Sequence, residues 1–280
     1  MKKITGRIVT VRAIISQVKP SSIAVVIIDE TSLPERAFQN YTNLTSITIP
    51  DSITSIGSDT FAGCKNLKNI TGPAAITGKI AEQANPTSFA IVITSGTSID
   101  HSAFRNRTGL TSVIIPDSVT SIADSAFYGC SGLTSVIIPD SVTNISERAF
   151  YDCNRLTDIT IGNGVTNIGD YAFHNCTSLT SIVIPNNVIS IGNYVFDSCT
   201  DLTSVTIGNS VMSIGNYAFY GCTKLTNITL LPTTPPTLGS HVFYNITSST
   251  VITVPKGTLD AYQTATNWSN YADKIVEVTA

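Results

Sequence analysis

Six cysteines are the first residues in this chain that could do chemistry, and their spacing decides which chemistry is open to them. Cys64, Cys130, Cys153, Cys176, Cys199 and Cys222 recur at intervals of 23 residues or more, so the short CxxC pairs from which a zinc site is assembled are missing. Each follows a phenylalanine by three positions, which makes them one column of a repeat. Stacked strands place such Cα atoms ~4.8 Å apart, inside disulfide range, but in-register side chains run parallel and do not turn towards each other as a bridge requires. Free thiols on an inward face are expected. His101, His174 and His241 fall at different places in their repeats, so they do not converge on one ion or one nucleophile and are read as surface residues. No GxSxG, P-loop, GxGxxG or HExxH motif occurs, which leaves acyl transfer, phosphate binding, dinucleotide binding and zinc proteolysis without candidates. The expectation is a non-enzymatic chain with no catalytic residue, metal or cofactor.

Two further columns carry polar or aromatic chemistry. Asp117, Asp140, Asn163, Asn186 and Asn209 could line a row of calcium ions, yet three are neutral, and turn hydrogen bonding accounts for them better. Tyr171, Tyr194 and Tyr217 stand two residues before successive phenylalanines. Carbohydrate binding is their functional reading, and shielding of the repeat edge is the structural one. Charge points to no special partner: the net charge is −3 with 12% charged residues, so neither nucleic acid nor an anionic membrane is indicated. Six of the sixteen basic residues precede residue 40, a mild excess that fits a solvated terminus.

The elements that position these columns come from one sentence, LTSVIIPDSVTSIADSAFYGC from Leu110 to Cys130, rewritten every 23 residues from Leu133, Leu156, Leu179, Leu202 and Leu225. The anchoring phenylalanines are Phe38, Phe61, Phe104, Phe127, Phe150, Phe173, Phe196, Phe219 and Phe243. Leu110, Val113, Ile115, Val119, Ile122, Ala126, Phe127 and Cys130 are the inward set. The two-residue step from Val113 to Ile115 makes LTSVII a strand, with Ser112 and Ile114 on its other face. Pro50, Pro116, Pro139 and Pro185 end strands, VTSI is a second short extended piece, and SAFYGC reads as one helical turn closed by a left-handed residue. That closing position is Gly63, Gly129 and Gly221, or Asn106, Asp152, Asn175 and Ser198. A unit this short cannot bury eight apolar side chains alone, so the repeats must stack in parallel into a solenoid, here of roughly ten rungs.

LTSVIIPDSVTSIADSAFYGC closely resembles the BspA-like, or treponemal-type, leucine-rich repeat, and the resemblance covers roughly residues 21 to 280. It implies a leucine-rich-repeat solenoid, a right-handed β/α superhelix that is mostly β with short helical turns, capped at both ends, whose parallel strands line a concave face. It also implies a bacterial surface or secreted protein that adheres to host matrix or other cell-surface proteins. Residues 1 to 20 carry Arg7 and Arg12 within their apolar run, so they are read as a cap of strand pieces through Ile4, Ile8, Val9, Val11, Ile14 and Ile15 and not as a signal peptide. With no signal peptide visible, a cytoplasmic location stays open. No run approaches eighteen consecutive apolar residues, so no membrane-spanning helix is expected.

Residues 21 to 231 form the array, with one degenerate repeat over about 65 to 103. There Ile70, Ile76 and Ile80 keep core positions while Gly72, Pro73, Gly78 and Pro86 favour irregular backbone. Residues 232 to 280 supply a final strand, VITV, and a cap in which Thr258 starts a short helix and Tyr262 and Trp268 seal the stack. A tail of the form VPxGxLxAYxxAxxW is common at the end of BspA-like arrays.

The expected ligand surface is the outward strand position four residues after each leucine, Ile114, Ile137, Thr160 and Val183, flanked by Ser112, Ser135, Asp158 and Ser181. The elsewhere preferred residue is Thr, which has the same strand propensity without the larger apolar group. A small apolar patch with a polar rim therefore points to a protein partner or to self-association. The leading reading is a protein-binding, adhesin-like module. The alternatives are an intracellular interaction scaffold, suggested by reduced thiols, and a carbohydrate-binding surface.

Overall fold

The structure, a computed structural model, describes residues 2–18 and 22–278. The inward leucine, valine and isoleucine positions force every repeat to share one core, and the chain responds by laying parallel strands in register. Eight such strands run from Lys2–Gly6 to Asp158–Ile161, and five more from Ser181–Ile184 to Ile275–Glu277. This exceeds the roughly ten rungs expected because a piece at each end adds a strand to its sheet: Lys2–Gly6 pairs with Ile23–Ile27, and Ile275–Glu277 pairs with Val251–Val254, so VITV is not the last strand. A second sheet of seven two-residue strands, from Ser98–Ile99 to Thr237–Leu238, runs beside it, and Ser32–Leu33 pairs with Ser55–Ile56.

Inside, the phenylalanine column runs in two stretches, on either side of the degenerate repeat. Phe104, Phe127, Phe150, Phe173, Phe196, Phe219 and Phe243 are stacked with ring centroids 5.0–5.5 Å apart, and all are buried. Phe38 stacks on Phe61 at 5.3 Å. From Phe104 to Phe219 each rung also passes a backbone hydrogen bond onward: the Phe127 N–H donates to the Ala149 carbonyl and the Phe150 N–H to the Ala172 carbonyl, both at 2.8 Å.

Four local expectations are corrected. SAFYGC is a succession of reverse turns and not a helical turn, because two of its positions adopt left-handed backbone. One is the closing column foreseen, with φ 68° at Gly129 and 58° at Asp152; the other lies two residues before Phe, with φ 57° at Ser125, 54° at Arg148 and 58° at Tyr171. A right-handed helical turn cannot contain them. Residues Ile8–Val18 form a helix, α1, and not strand pieces; Ile8 and Val11 are buried while Val9 is 76% exposed, which is a helical and not an alternating pattern. The side chains of Ile14 and Ile15 lie outside the described residues.

The third correction is the degenerate repeat, where an eleven-residue helix, α2 (Ala74–Ala84), replaces the irregular backbone expected. Pro73 precedes it, a position that tolerates the missing N–H, and Asn85 ends it with φ 43°. Ile76 and Ile80 are buried on its inner side. α2 takes the place of a second strand and a phenylalanine turn, so Phe61 has no following rung to receive its N–H. Gln83 substitutes: its Oε1 accepts from the Phe61 N–H at 3.1 Å and its Nε2 donates to the Gly57 carbonyl at 2.9 Å.

The fourth correction concerns the C-terminal helix α3 (Leu259–Thr264). Thr258 makes no side-chain cap; its hydroxyl donates to the Pro255 carbonyl, and Glu277 Oε1 instead accepts from the N–H groups of Gly257 and Leu259. Tyr262 and Trp268 are fully buried as expected, donating to the carbonyls of Pro232 and Pro236 at 2.8 Å.

Two outcomes are expected in chemical denaturation. Phe173→Ala removes a ring held between two others and should cost about 3–5 kcal/mol; a loss under about 1 kcal/mol would mean the column is not the anchor of the stack. Gln83→Leu keeps the volume but leaves the Phe61 N–H without a partner, and should cost about 1–3 kcal/mol; an unchanged stability would show that the substitution of side chain for backbone carries no weight.

Candidate functional site

All eight expected ligand residues lie on the outer face of the long strands, six on the eight-stranded sheet and Ser181 and Val183 on the five-stranded one. Ile114, Ile137 and Val183 are 60%, 69% and 62% exposed, and Thr160, Ser135, Asp158 and Ser181 are exposed beside them, with Ser112 half-buried. Strand register brings them together: Ser135 pairs with Ser112 and with Asp158, and Ile137 with Thr160. Register also adds Val92, which lies opposite Ile114 and is half-buried, so the apolar row begins one rung earlier than the sequence suggests. Val92 escaped notice because the 21- and 22-residue steps around α2 break the count, through Ile70 opposite Ile91 and Val92 opposite Ile114.

A second feature of this face has no sequence signal. Among the described residues no ladder pair joins Asp158–Ile161 to Ser181–Ile184, although the short strands beneath, Asn167–Ile168 and Ser190–Ile191, stay paired. Between these two unpaired strands lies a groove of about 420 Å³ whose lining includes Asp158, Thr160, Ser181 and Val183. Half of the expected ligand residues therefore edge a cleft.

The turn side carries the aromatic columns. Tyr171, Tyr194 and Tyr217 stack with centroids 4.8–4.9 Å apart and planes within 6°, and His241 continues the column on Tyr217 at 5.1 Å. A neighbouring column, one residue after Phe, stacks Tyr128, Tyr151 and His174 at 4.8 and 4.5 Å. Arginine covers the first ring of each of these two columns, Arg105 over Tyr128 at 4.4 Å and Arg148 over Tyr171 at 5.4 Å. Within these columns the ring faces cover one another, so the interior tyrosines offer a sugar only their edges. The shielding reading of Tyr171, Tyr194 and Tyr217 fits this geometry. His174 departs from the surface expectation: its side chain is 19% exposed, its Nε2 lies 3.2 Å from Asp197 Oδ2, and its buried Nδ1 has no partner among the described residues.

The Asp/Asn column hydrogen-bonds chiefly between rungs, and within its own turn Asn209 Oδ1 accepts from the Ser210 hydroxyl at 3.3 Å. Asp140 Oδ1 accepts from the Asn163 N–H at 2.6 Å and Asn186 Oδ1 from the Asn209 N–H at 3.1 Å. A parallel set unseen in the sequence runs from Asp170 through Asn193 and Asn216, each accepting from the backbone N–H one rung on at 2.7–2.8 Å. Among the described residues no group of three or more His, Cys, Asp or Glu could hold a metal ion. All six cysteines are buried and unbridged. Each thiol donates to the carbonyl of the phenylalanine one rung back, as Cys130 does to Phe104 at 3.0 Å and Cys199 to Phe173 at 3.3 Å. Burial pushes these thiols up, to about 11 for Cys64 and about 12 for Cys130 and Cys199, the reverse of what a reactive cysteine needs.

The pattern of the BspA-type leucine-rich repeat region matches residues 31–85, 97–212 and 189–272 in six copies. Among solved structures, a leucine-rich repeat protein from Bacteroides ovatus is 23% identical, with 91% of this chain and 84% of that chain covered and a TM-score of 0.47. A leucine-rich cell surface protein from Faecalibacterium prausnitzii is 23% identical over 89% and 83% of the two chains, TM-score 0.35. The pneumococcal vaccine antigen PcpA is 17% identical over 93% and 80%, TM-score 0.48. No protein of curated function matches the chain. No helix among the described residues is long and apolar enough to cross a membrane.

The thiol column makes stability depend on alkaline pH. Unfolded thiols ionise near their ordinary value while the folded ones stay protonated, so the contribution is whole below about pH 8.5 and is lost as pH rises towards the folded values, at about 1.4 kcal/mol per pH unit for each thiol. Unfolding free energies at pH 8 and pH 10 should show this fall, and iodoacetamide at pH 8 should label no thiol in the native protein and all six in denaturant. Native labelling would place the column in water.

Proposed function

Because the chain belongs to the BspA-type leucine-rich repeat family, a repeat scaffold, we propose that it is a non-enzymatic protein-binding module that acts at the cell surface or after secretion, adhering to host matrix or other cell-surface proteins through the outer face of its long sheet. One observation carries this reading: Val92, Ile114 and Ile137 follow one another on successive rungs where the rest of that column is mostly Thr, and beyond Thr160 the apolar position returns as Val183 on the far side of the groove. Each exposed branched side chain is a cost in water that Thr would avoid at equal strand propensity. Covering them with a partner recovers that cost.

The surrounding chemistry suits a protein partner. Ser112, Ser135 and Ser181 offer hydroxyls that serve as donor or acceptor, and Asp158 supplies one carboxylate, giving an apolar centre with a polar rim. Flat sheet faces of solenoids are extended binding surfaces of this kind. Pairing of two copies of the chain through the same row is the second reading, and the self-association arm of the test reads it.

The test is the double variant Ile114→Asp, Ile137→Asp. Both side chains point away from the core, so thermal unfolding should match the parent. Retention on immobilised fibronectin, laminin and collagen, and self-association in sedimentation velocity, should fall at least tenfold in whichever the parent shows. A parent that neither binds these proteins nor self-associates would overturn the adhesion reading, and a variant that behaves as the parent does would move the binding face elsewhere.

A further inference from the structure

In-register stacking hides the ring faces of the aromatic columns everywhere except where a column stops. His241 lies on Tyr217 at 5.1 Å and 5°, and Tyr244 lies on Tyr220 at 5.6 Å and 4°. Beyond them the chain leaves the repeat, and among the described residues no ring stacks on their other side. Tyr244 is 51% exposed. The two terminal rings meet edge to face, 5.5 Å apart and at 69°, so they form the corner of a surface.

That corner opens into a cavity of about 560 Å³ between the last rung and the C-terminal cap, within the roughly 300–1,000 Å³ of small-molecule sites. Its lining also holds Asn245, Asn270 and Asp273, whose side chains make no hydrogen bond among the described residues. The remaining polar wall is already engaged: the Asn267 side-chain amide donates to the Leu238 carbonyl at 2.6 Å, Lys274 Nζ donates to the Ser248 carbonyl at 3.0 Å, and the Tyr271 hydroxyl accepts from the Phe243 N–H at 3.3 Å. The wall is thus held in place by the ends of the backbone ladder, while two amides and a carboxylate stay free.

We propose that this cavity is a saccharide-binding site that takes one neutral pyranoside unit of a glycan. An aromatic face packs against the apolar C–H face of a sugar ring, and amides with a carboxylate match its hydroxyls, since Asn donates and accepts while Asp accepts from two O–H groups. A phosphate-bearing ligand fits poorly, because Lys274 is committed to Ser248 and Asp273 faces the same space. The site shares no residue with the protein-binding face and stands independently of it.

Saturation-transfer difference NMR on the whole chain tests it, with methyl β-D-galactopyranoside, methyl β-D-glucopyranoside and N-acetylglucosamine as probes and adenosine as the competing aromatic ligand. At least one pyranoside should show transfer, strongest at its C–H face. Tyr244→Ala and Asp273→Ala, both exposed positions, should each weaken it at least tenfold, while Tyr194→Ala, inside a column, should leave it unchanged. Circular dichroism and the protection of the six thiols from iodoacetamide verify folding of each variant. The proposal is overturned if no pyranoside shows transfer, if adenosine alone does, or if transfer survives both cavity variants or is lost equally in Tyr194→Ala.

Discussion

Each rung of this protein must hand its backbone donors to the next, and most of the structure follows from that obligation. At every anchoring phenylalanine the buried N–H points along the stack, and in the regular array the carbonyl 22 or 23 residues on receives it, as in Phe104 to Ala126 and Phe219 to Val242. An unmet buried donor costs about 1–3 kcal/mol, so a repeat cannot simply be dropped. Where the pattern fails, a side chain stands in: Gln83 on α2 receives Phe61, and the Tyr271 hydroxyl receives Phe243. The side-chain ladders obey the same rule, with Asp140, Asp170, Asn186 and Asn193 each accepting a backbone N–H from the following rung.

The rule also explains what the sequence revealed. Columns that the core demands are chemically uniform, so Phe, Cys, Leu and the closing Gly or Asn were legible from spacing alone, and with them the solenoid and the state of the thiols. The left-handed column two residues before Phe was not, because its occupants, among them Ser125, Arg148, Tyr171 and His241, share a conformation and no side-chain property. α2 was hidden for a different reason. Gly78 and the flanking Pro73 and Pro86 read as irregular backbone, while the residue that keeps the stack whole, Gln83, is a type that usually marks a solvated surface. Losing the count there also concealed Val92. The groove beside Val183 had no signal, since TDITIGN and TSIVIPN both read as ordinary strands; the structure holds it and no residue type accounts for it.

Solvent-facing columns are under no such obligation and are free to differ from rung to rung. That freedom locates function on the outside, and departures from the local majority are its readable trace, as with Ile114, Ile137 and Val183 among threonines. The contrast marks the expected ligand residues, and register gathers six of them, Ser112, Ile114, Ser135, Ile137, Asp158 and Thr160, on one sheet face.

The same geometry sets a limit on what a repeat can offer. A side chain stacked on its neighbours has spent its faces on them, so Tyr171, Tyr194 and Tyr217 stabilise the turn side and present only edges. Repetition multiplies edges along the stack, yet it leaves a free face only at the last rung of a column. Arg105 and Arg148 cover the rings that begin the columns at Tyr128 and Tyr171. His241, at the other end of the Tyr171 column, and Tyr244, which closes a separate pair with Tyr220, meet no such cover, and the cap stands back from them across a cavity. A solenoid built this way has two kinds of place for recognition: a broad sheet face, where many weak contacts add, and a column end, where a single ring is exposed on a rigid support.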